Sequence, residues 1–360
     1  MFERLINLRR MPRPPVIREL GRWVRAIMPR ARSDQVGYSW RIAKEKETFQ
    51  DCVNVHDLPP IFHYWSNKHL RPRLQNCGVE SIDGFFSNRL AQAYDASPND
   101  TRRILSIGAG NCELEVALAR QLIAQGRGSF RLECMELNAR MLERGVKLAS
   151  DAGVADKLVP LEADFNSWRP AALYDAVVCN QSLHHVLNLE GLFANIKLCL
   201  RQDAPLIVSD IIGRNGHQRW PEALELVREF WSELPRSYRY NRQLGRQEDT
   251  FLDWDCSVAG FEGIRAQDIL PLLVQEFSFE FFFAFANIID PFTDRSFGHN
   301  FDVAAEWDKA FIDRVHARDE NEILTGRIKP THMLAVLSTA PVRATICDRH
   351  LTPNFCIRRG

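Results

Sequence analysis

Nothing in the sequence marks a membrane span, since no apolar run reaches the ~20 residues a helix needs to cross a bilayer. The most aromatic stretch, from Phe277 to Phe285, is broken by Ser278 and Glu280. No secretory signal is expected either, because the basic N-terminus shows no apolar core of the required kind. No C-x-x-C pair occurs, and the nine cysteines show no zinc-ligand spacing. No metal site is therefore expected, and the cysteines read as mostly buried, reduced thiols of a cytoplasmic protein. Charge of one sign is not in excess: Lys+Arg and Asp+Glu are both 46. That removes the general electrostatic reason to expect nucleic acid as a partner. Repeats and low-complexity segments are absent, which excludes solenoids and disordered arrays.

What is present is a chain of 360 residues, 45% hydrophobic and 26% charged, enough for one large domain or two modest ones. Residues 1–32 stand apart, with nine arginines against two glutamates. Val16, Ile17, Leu20, Val24, Ile27 and Met28 form a helical stripe with Arg18, Arg22 and Arg25 largely opposite. Such an arm docks on a membrane surface or a protein partner, or packs on the protein's own body. Residues 33–100 read as a helical region that serves as a lid, broken at Pro59-Pro60.

From residue 101 the pattern alternates. Strands are predicted at Arg103–Ile107, Phe130–Glu136, Leu158–Glu162, Tyr174–Cys179 and Pro205–Ile212, with helices between most of them. Alternation of this kind implies an α/β fold, a Rossmann-like, mostly parallel sheet with helices on both faces. Phe277–Phe285 and Thr331–Leu337 are expected to close it as antiparallel strands. The domain would span 101–340, with inserts at about 213–275 and 287–329, followed by a tail at 341–360.

Three features fall at strand ends. Ser106-Ile107-Gly108-Ala109-Gly110-Asn111-Cys112-Glu113 follows a strand and opens a helix, the context of a ligand-binding glycine loop. Glu136-Leu137 ends the second strand, where a carboxylate can accept both hydroxyls of a ribose. Asp164-Phe165 follows the third, an acid and an aromatic suited to an adenine. In open α/β sheets ligands bind at carboxyl ends of strands. Each acid also has a plain reading, as a helix cap or a solvated loop residue.

These residues resemble the class I S-adenosylmethionine-dependent methyltransferases over about 101–212, and more loosely over the closing strands. The resemblance implies S-adenosylmethionine as cofactor. It implies that the loop with Ser106, Gly108, Ala109, Gly110 and Glu113 holds the methionine part, Glu136 and Leu137 the ribose, and Asp164 and Phe165 the adenine. Two departures stand out: many members carry an acid at Ser106 and a glycine at Cys112. A nicotinamide-dependent oxidoreductase would instead need a third glycine where Glu113 stands, and an acid there repels a pyrophosphate.

The fourth strand ends in Asn180-Gln181-Ser182-Leu183-His184-His185, next to where a transferable methyl would lie. Asn180 can orient cofactor or acceptor. His184 or His185 can serve as general base, with His185 the first choice, or can cap the following helix. The insert adds a second polar set among aromatics, Asp290, Asp294, His299 and Asn300, and His63 and Tyr64 can form a further wall of an acceptor pocket. His299 is a third candidate base. The expected reaction is O-methylation of a small or medium-sized acceptor, glycosyl, polyketide-like or lipid-linked. The alternative is a non-catalytic scaffold subunit of the same fold.

Overall fold

The computed structural model describes residues 30–51, 58–258, 260–348 and 350–358. The arginine-rich stripe of Val16–Met28 lies outside the described residues. The boundary expected at residue 32 falls inside a helix, α1 (Arg30–Phe49). Helical segments at Pro60–Trp65, Ser66–Leu70 and Arg71–Asn76 follow as one continuous run, and then α2 (Ile82–Ala96).

Next comes the alternating core. It consists of β1 (Arg102–Ile107), α3 (Glu113–Ala124), β2 (Phe130–Glu136), α4 (Ala139–Asp151), β3 (Leu158–Glu162), β4 (Ala176–Asn180), α5 (Leu189–Cys199) and β5 (Leu206–Ile211). Beyond it lie α6 (Pro221–Glu233), α7 (Ala266–Glu276), β6 (Ser278–Phe285), α8 (Glu306–Leu324), β7 (His332–Ser338) and β8 (Thr345–Ile346). The strands form one eight-stranded sheet in the order β3-β2-β1-β4-β5-β7-β6-β8. The chain winds outward from β1 to β3, returns to β4 beside β1, and winds the other way. A crevice therefore opens at the carboxyl ends of β1 and β4.

Local sequence explains these elements. Ala176–Cys179 of β4 is wholly buried, as a central parallel strand covered on both faces must be. Asn138 and Asn188 cap α4 and α5 by accepting from the amides of Arg140 and Gly191. Of the two closing strands, only β7 is reversed. It pairs antiparallel with β5 and with β6, so β6 runs in the direction of the main sheet. The polar break at Glu280 is a bulge in the β6–β7 pairing, and the expelled carboxylate meets Arg89.

In the stretch from residue 341, β8 extends the sheet beside β6, and Leu351 and Cys356 are buried. One further expectation changes, since not all cysteines are reduced: Cys77 and Cys347 form a disulfide across a sequence separation of 270. Such a pairing has no local signature in sequence. No described helix is long and apolar enough to cross a membrane.

Candidate active site

The glycine loop sits where the sequence placed it. The amides of Gly108 and Ala109 donate to the carbonyl of Met135 and tie the loop to the end of β2. Gly108 has φ +75°, and a Cβ there would stand 2.4 Å from that of Ser182, so only glycine fits between the β1 and β4 turns. Cys112 also takes a left-handed conformation, φ 60°, which explains why a glycine is usual at this position in the family it resembles. A side chain there costs about 1–3 kcal/mol. Its sulfur is accommodated because α4 offers Gly145, whose Cβ would lie 2.6 Å from the Cys112 sulfur.

Glu136 is half-buried and accepts from the amides of Gly110 (3.1 Å) and Asn138 (3.0 Å). Burial pushes its carboxyl above the ordinary value, against the pull of those amides. Asp164 accepts from the Tyr38 hydroxyl at 2.6 Å and from the Asn166 amide at 3.0 Å. Glu113 accepts from the side-chain amide of Asn111 at the start of α3, and Leu137 is half-buried. Phe165 is largely buried, packed into the core. Ser106 turns away from this edge: it is buried and donates to Glu115 at 2.6 Å. Burial lifts Glu115 to about 7.

The β4 turn is organised by a residue the sequence reading missed. Asp210, fully buried at the end of β5, accepts from the amides of Ser182 (3.0 Å) and Leu183 (2.7 Å) and pairs with His184 Nδ1 at 2.7 Å. Asn180 is half-buried at the end of β4, beside these groups.

Around His184 a cluster converges from four segments. His185 Nδ1 lies 2.7 Å from Glu45 of α1. His217 Nε2 lies 2.6 Å from Glu262 Oε1. Glu262 also sits 3.5 Å from His184 Nε2 and 3.5 Å from His185 Nε2. Two interlocked turns bring His217 and Glu262 together. Gly216 donates its amide to the Gly263 carbonyl, and a Cβ on Gly263 would approach the Gly216 amide to 3.1 Å. The Ile264 amide in turn donates to the His184 carbonyl at 3.1 Å.

The electrostatics follow from this arrangement. Burial disfavours a charged His184, but the Asp210 and Glu262 carboxylates outweigh it and lift the imidazole to about 10. His185 is also raised, with Glu262 and Glu45 opposing burial. His217 is lowered, because burial prevails over Glu262. Glu262 is held well below the usual carboxylate range, since its histidine neighbours overcome burial. About a third of its side chain stays open, at 35%, so water tempers that pull.

The other candidates divide. Asp290 accepts from Thr331 Oγ1 at 2.8 Å and Arg219 at 3.3 Å and lies 3.7 Å from His332, whose pKa burial lowers. Asp294 caps its own turn through the amides of Ser296 and Phe297, and burial lifts it to about 7. Tyr64 bonds Asp313, His63 is exposed, and Asn300 is bound by Arg242 and the Tyr238 and Tyr240 carbonyls. The His299 carbonyl accepts from the same arginine. Among the described residues none of these last four side chains hydrogen-bonds to the histidine cluster. Glu45, His217, Glu262 and His332 escaped the sequence reading. The signals were Gly216-His217 and Gly260-Phe261-Glu262-Gly263, glycines around a histidine and an acid.

Helix α1 lies across these strand ends. Tyr38 meets Asp164, Lys46 meets Glu162, and the carbonyls of Lys46 and Gln50 accept from Asn138 and Arg144. Arg41 bonds the carbonyls of Ser257 and Gly260. The groups beneath α1 are acidic acceptors: Glu113, Glu136 and Asp164 on one side, Glu45 and Glu262 on the other. Such a set suits a ligand with positive charge and hydroxyls, and opposes a pyrophosphate.

No curated protein matches the chain. Solved structures of similar fold include the O-methyltransferase of a trans-AT PKS multienzyme from Brevibacillus brevis with S-adenosyl-L-homocysteine. It is 15% identical, covers 74% of this chain and 75% of that chain, and gives a TM-score of 0.40. The geranyl diphosphate C-methyltransferase from Streptomyces coelicolor, with Mg2+, geranyl diphosphate and S-adenosyl-L-homocysteine, is 10% identical, with 71% and 78% covered and a TM-score of 0.39. The StiE O-methyltransferase is 12% identical, with 86% and 94% covered and a TM-score of 0.41. The profile of a methyltransferase-domain family matches residues 79–265, over half of the chain and from ahead of β1 to the interlocked turns. The chain belongs to that family and is an S-adenosylmethionine-dependent methyltransferase.

Proposed function

We propose that this methyltransferase acts on an oxygen of a small or medium-sized acceptor, and that His185 takes the acceptor's proton. The observation that carries this reading is the histidine–carboxylate cluster at the ends of β4 and β5, next to the glycine loop. Methyl transfer to oxygen needs a group to remove a proton and an arrangement that holds the nucleophile in line. S-adenosylmethionine supplies an activated methyl on a sulfonium. On the cofactor side, Glu136 would hold the ribose hydroxyls and Asp164 the adenine amino group. The loop from Gly108 to Glu113 would hold the methionine part. On the acceptor side, His185 Nδ1 lies 2.7 Å from Glu45. That leaves Nε2 to receive the proton as the acceptor displaces Glu262 from it.

The test is calorimetric titration with S-adenosylmethionine and with NAD, followed by methyl transfer from labelled cofactor to a panel of hydroxylated acceptors. Binding of S-adenosylmethionine alone and a label stable as an ether or ester are expected. Label found only on carbon or nitrogen, or NAD binding without S-adenosylmethionine binding, overturns the proposal.

A further inference from the structure

We infer that His184, His217 and Glu262 form a binding site for a divalent first-row transition-metal ion. The ligand atoms of these three residues all lie within 4.8 Å of one another. Two imidazoles and one carboxylate suit such ions, and a metal with three protein ligands keeps positions for water or a substrate oxygen.

The surroundings are those of a held site. Ligating histidines ordinarily pass their other ring nitrogen to a carboxylate, and His184 Nδ1 does so to Asp210 at 2.7 Å. Asp210 is itself fixed by the amides of Ser182, Leu183 and Ile211. The interlocked glycines fix the relative positions of His217 and Glu262. His217 Nδ1 is buried and has no protein partner among the described residues, which leaves Nε2 and its carboxylate as the anchored side.

The inference deepens the reading of the cluster as the acceptor half of the site. A metal there would hold an acceptor that offers an oxygen ligand, which favours acceptors with two neighbouring oxygens, such as a hydroxyl beside a carbonyl. The sequence shows no such site because its ligands come from three separate turns.

The test uses the full chain after chelator treatment, titrated with Co2+ by visible absorption and with Zn2+ by calorimetry. One equivalent of each is expected, with a Co2+ spectrum of nitrogen and oxygen ligands. Glu262→Gln and His217→Gln should abolish the one-equivalent binding, and Asp210→Asn should weaken it by about 10–100-fold. His69→Gln should leave it unchanged, which guards against binding at the His69–His316 pair. Circular dichroism checks that each variant is folded. Absence of a one-to-one Co2+ complex, or binding undiminished in folded Glu262→Gln, overturns the site. Methyl transfer that persists with chelator present would then still support the methyltransferase reading. Metal binding without transfer would support the site alone.

Discussion

Along the β1–β3 side of the crevice, Gly108 and Asp164 follow strands and Glu136 ends one, all within residues 108–164. On the β4–β5 side, Glu45, His184, Asp210, His217 and Glu262 come from α1, two strand ends and two loops. The first side is held by the regular winding of the sheet. The second is held by side chains and by two glycine turns that lock into each other. Regular winding serves a ligand whose shape is fixed. Loops are where a scaffold changes what it recognises. On the function proposed above, the β4–β5 side is where acceptor specificity would reside.

If the two sides are separable, substitutions should split kinetics from cofactor affinity. The largest effect is expected at His185→Gln. Turnover should fall by about 10²–10⁴-fold, as for loss of a positioned base, while calorimetry finds cofactor affinity unchanged. A parallel loss of affinity would break the comparison. Glu136→Ala should do the reverse. Cofactor binding should weaken by about 1.5–3 kcal/mol, with turnover at saturation retained. Because Glu136 also holds the amides of Gly110 and Asn138, Glu136→Gln separates ribose recognition from loop support. Tyr38→Phe is milder. It removes one hydrogen bond between α1 and Asp164, worth about 0.5–1.5 kcal/mol, and should speed hydrogen exchange in α1 without lowering the exchange protection of β1 or β4.

The remaining expected effect concerns two buried acids. Burial lifts Glu115, under the glycine loop, to about 7 and Asp319, which binds the amides of Asn287 and Ile288, to about 8. Each folded-state value lies above that of the unfolded chain, so the folded state retains a proton that the unfolded state loses. The stability carried by the protonated form is full below about pH 4 and is lost as pH rises to the folded values. Melting temperatures measured from about pH 5 to about pH 8 should fall more for the wild type than for Glu115→Gln or Asp319→Asn. The Asp319→Asn difference should continue to the higher pH. Parallel curves would show that these acids are ionised in the fold.

Much of the cofactor side was legible because its signals are local. The wholly apolar Ala176–Cys179, the loop at Gly108 and the acids at Glu136 and Asp164 each declare a position relative to a strand. Ser106 shows the limit. One strand residue faces the crevice or the interior by alternation, and its buried bond to Glu115 follows from the helix that packs on it. His217 and Glu262 were unreadable for another reason. Gly216 and Gly263 look like ordinary loop residues until the two turns are seen to interlock. The docking of β8 beside β6 and the Cys77–Cys347 pairing were equally hidden, since nothing near either cysteine names its partner.

The sequence by itself determined the parallel α/β core and the gathering of the glycine loop and its acids at one end of the sheet. Those follow from hydrophobic period and from glycine placement, which act over a few residues. Only the tertiary structure decided that Asp210 governs the β4 turn, that α1 lies over the strand ends, and that three histidines surround one glutamate. Each of these is a contact between residues distant in sequence. Burying polar groups is costly unless each finds a partner, and which partners meet is settled by how the loops pack rather than by any pattern along the chain.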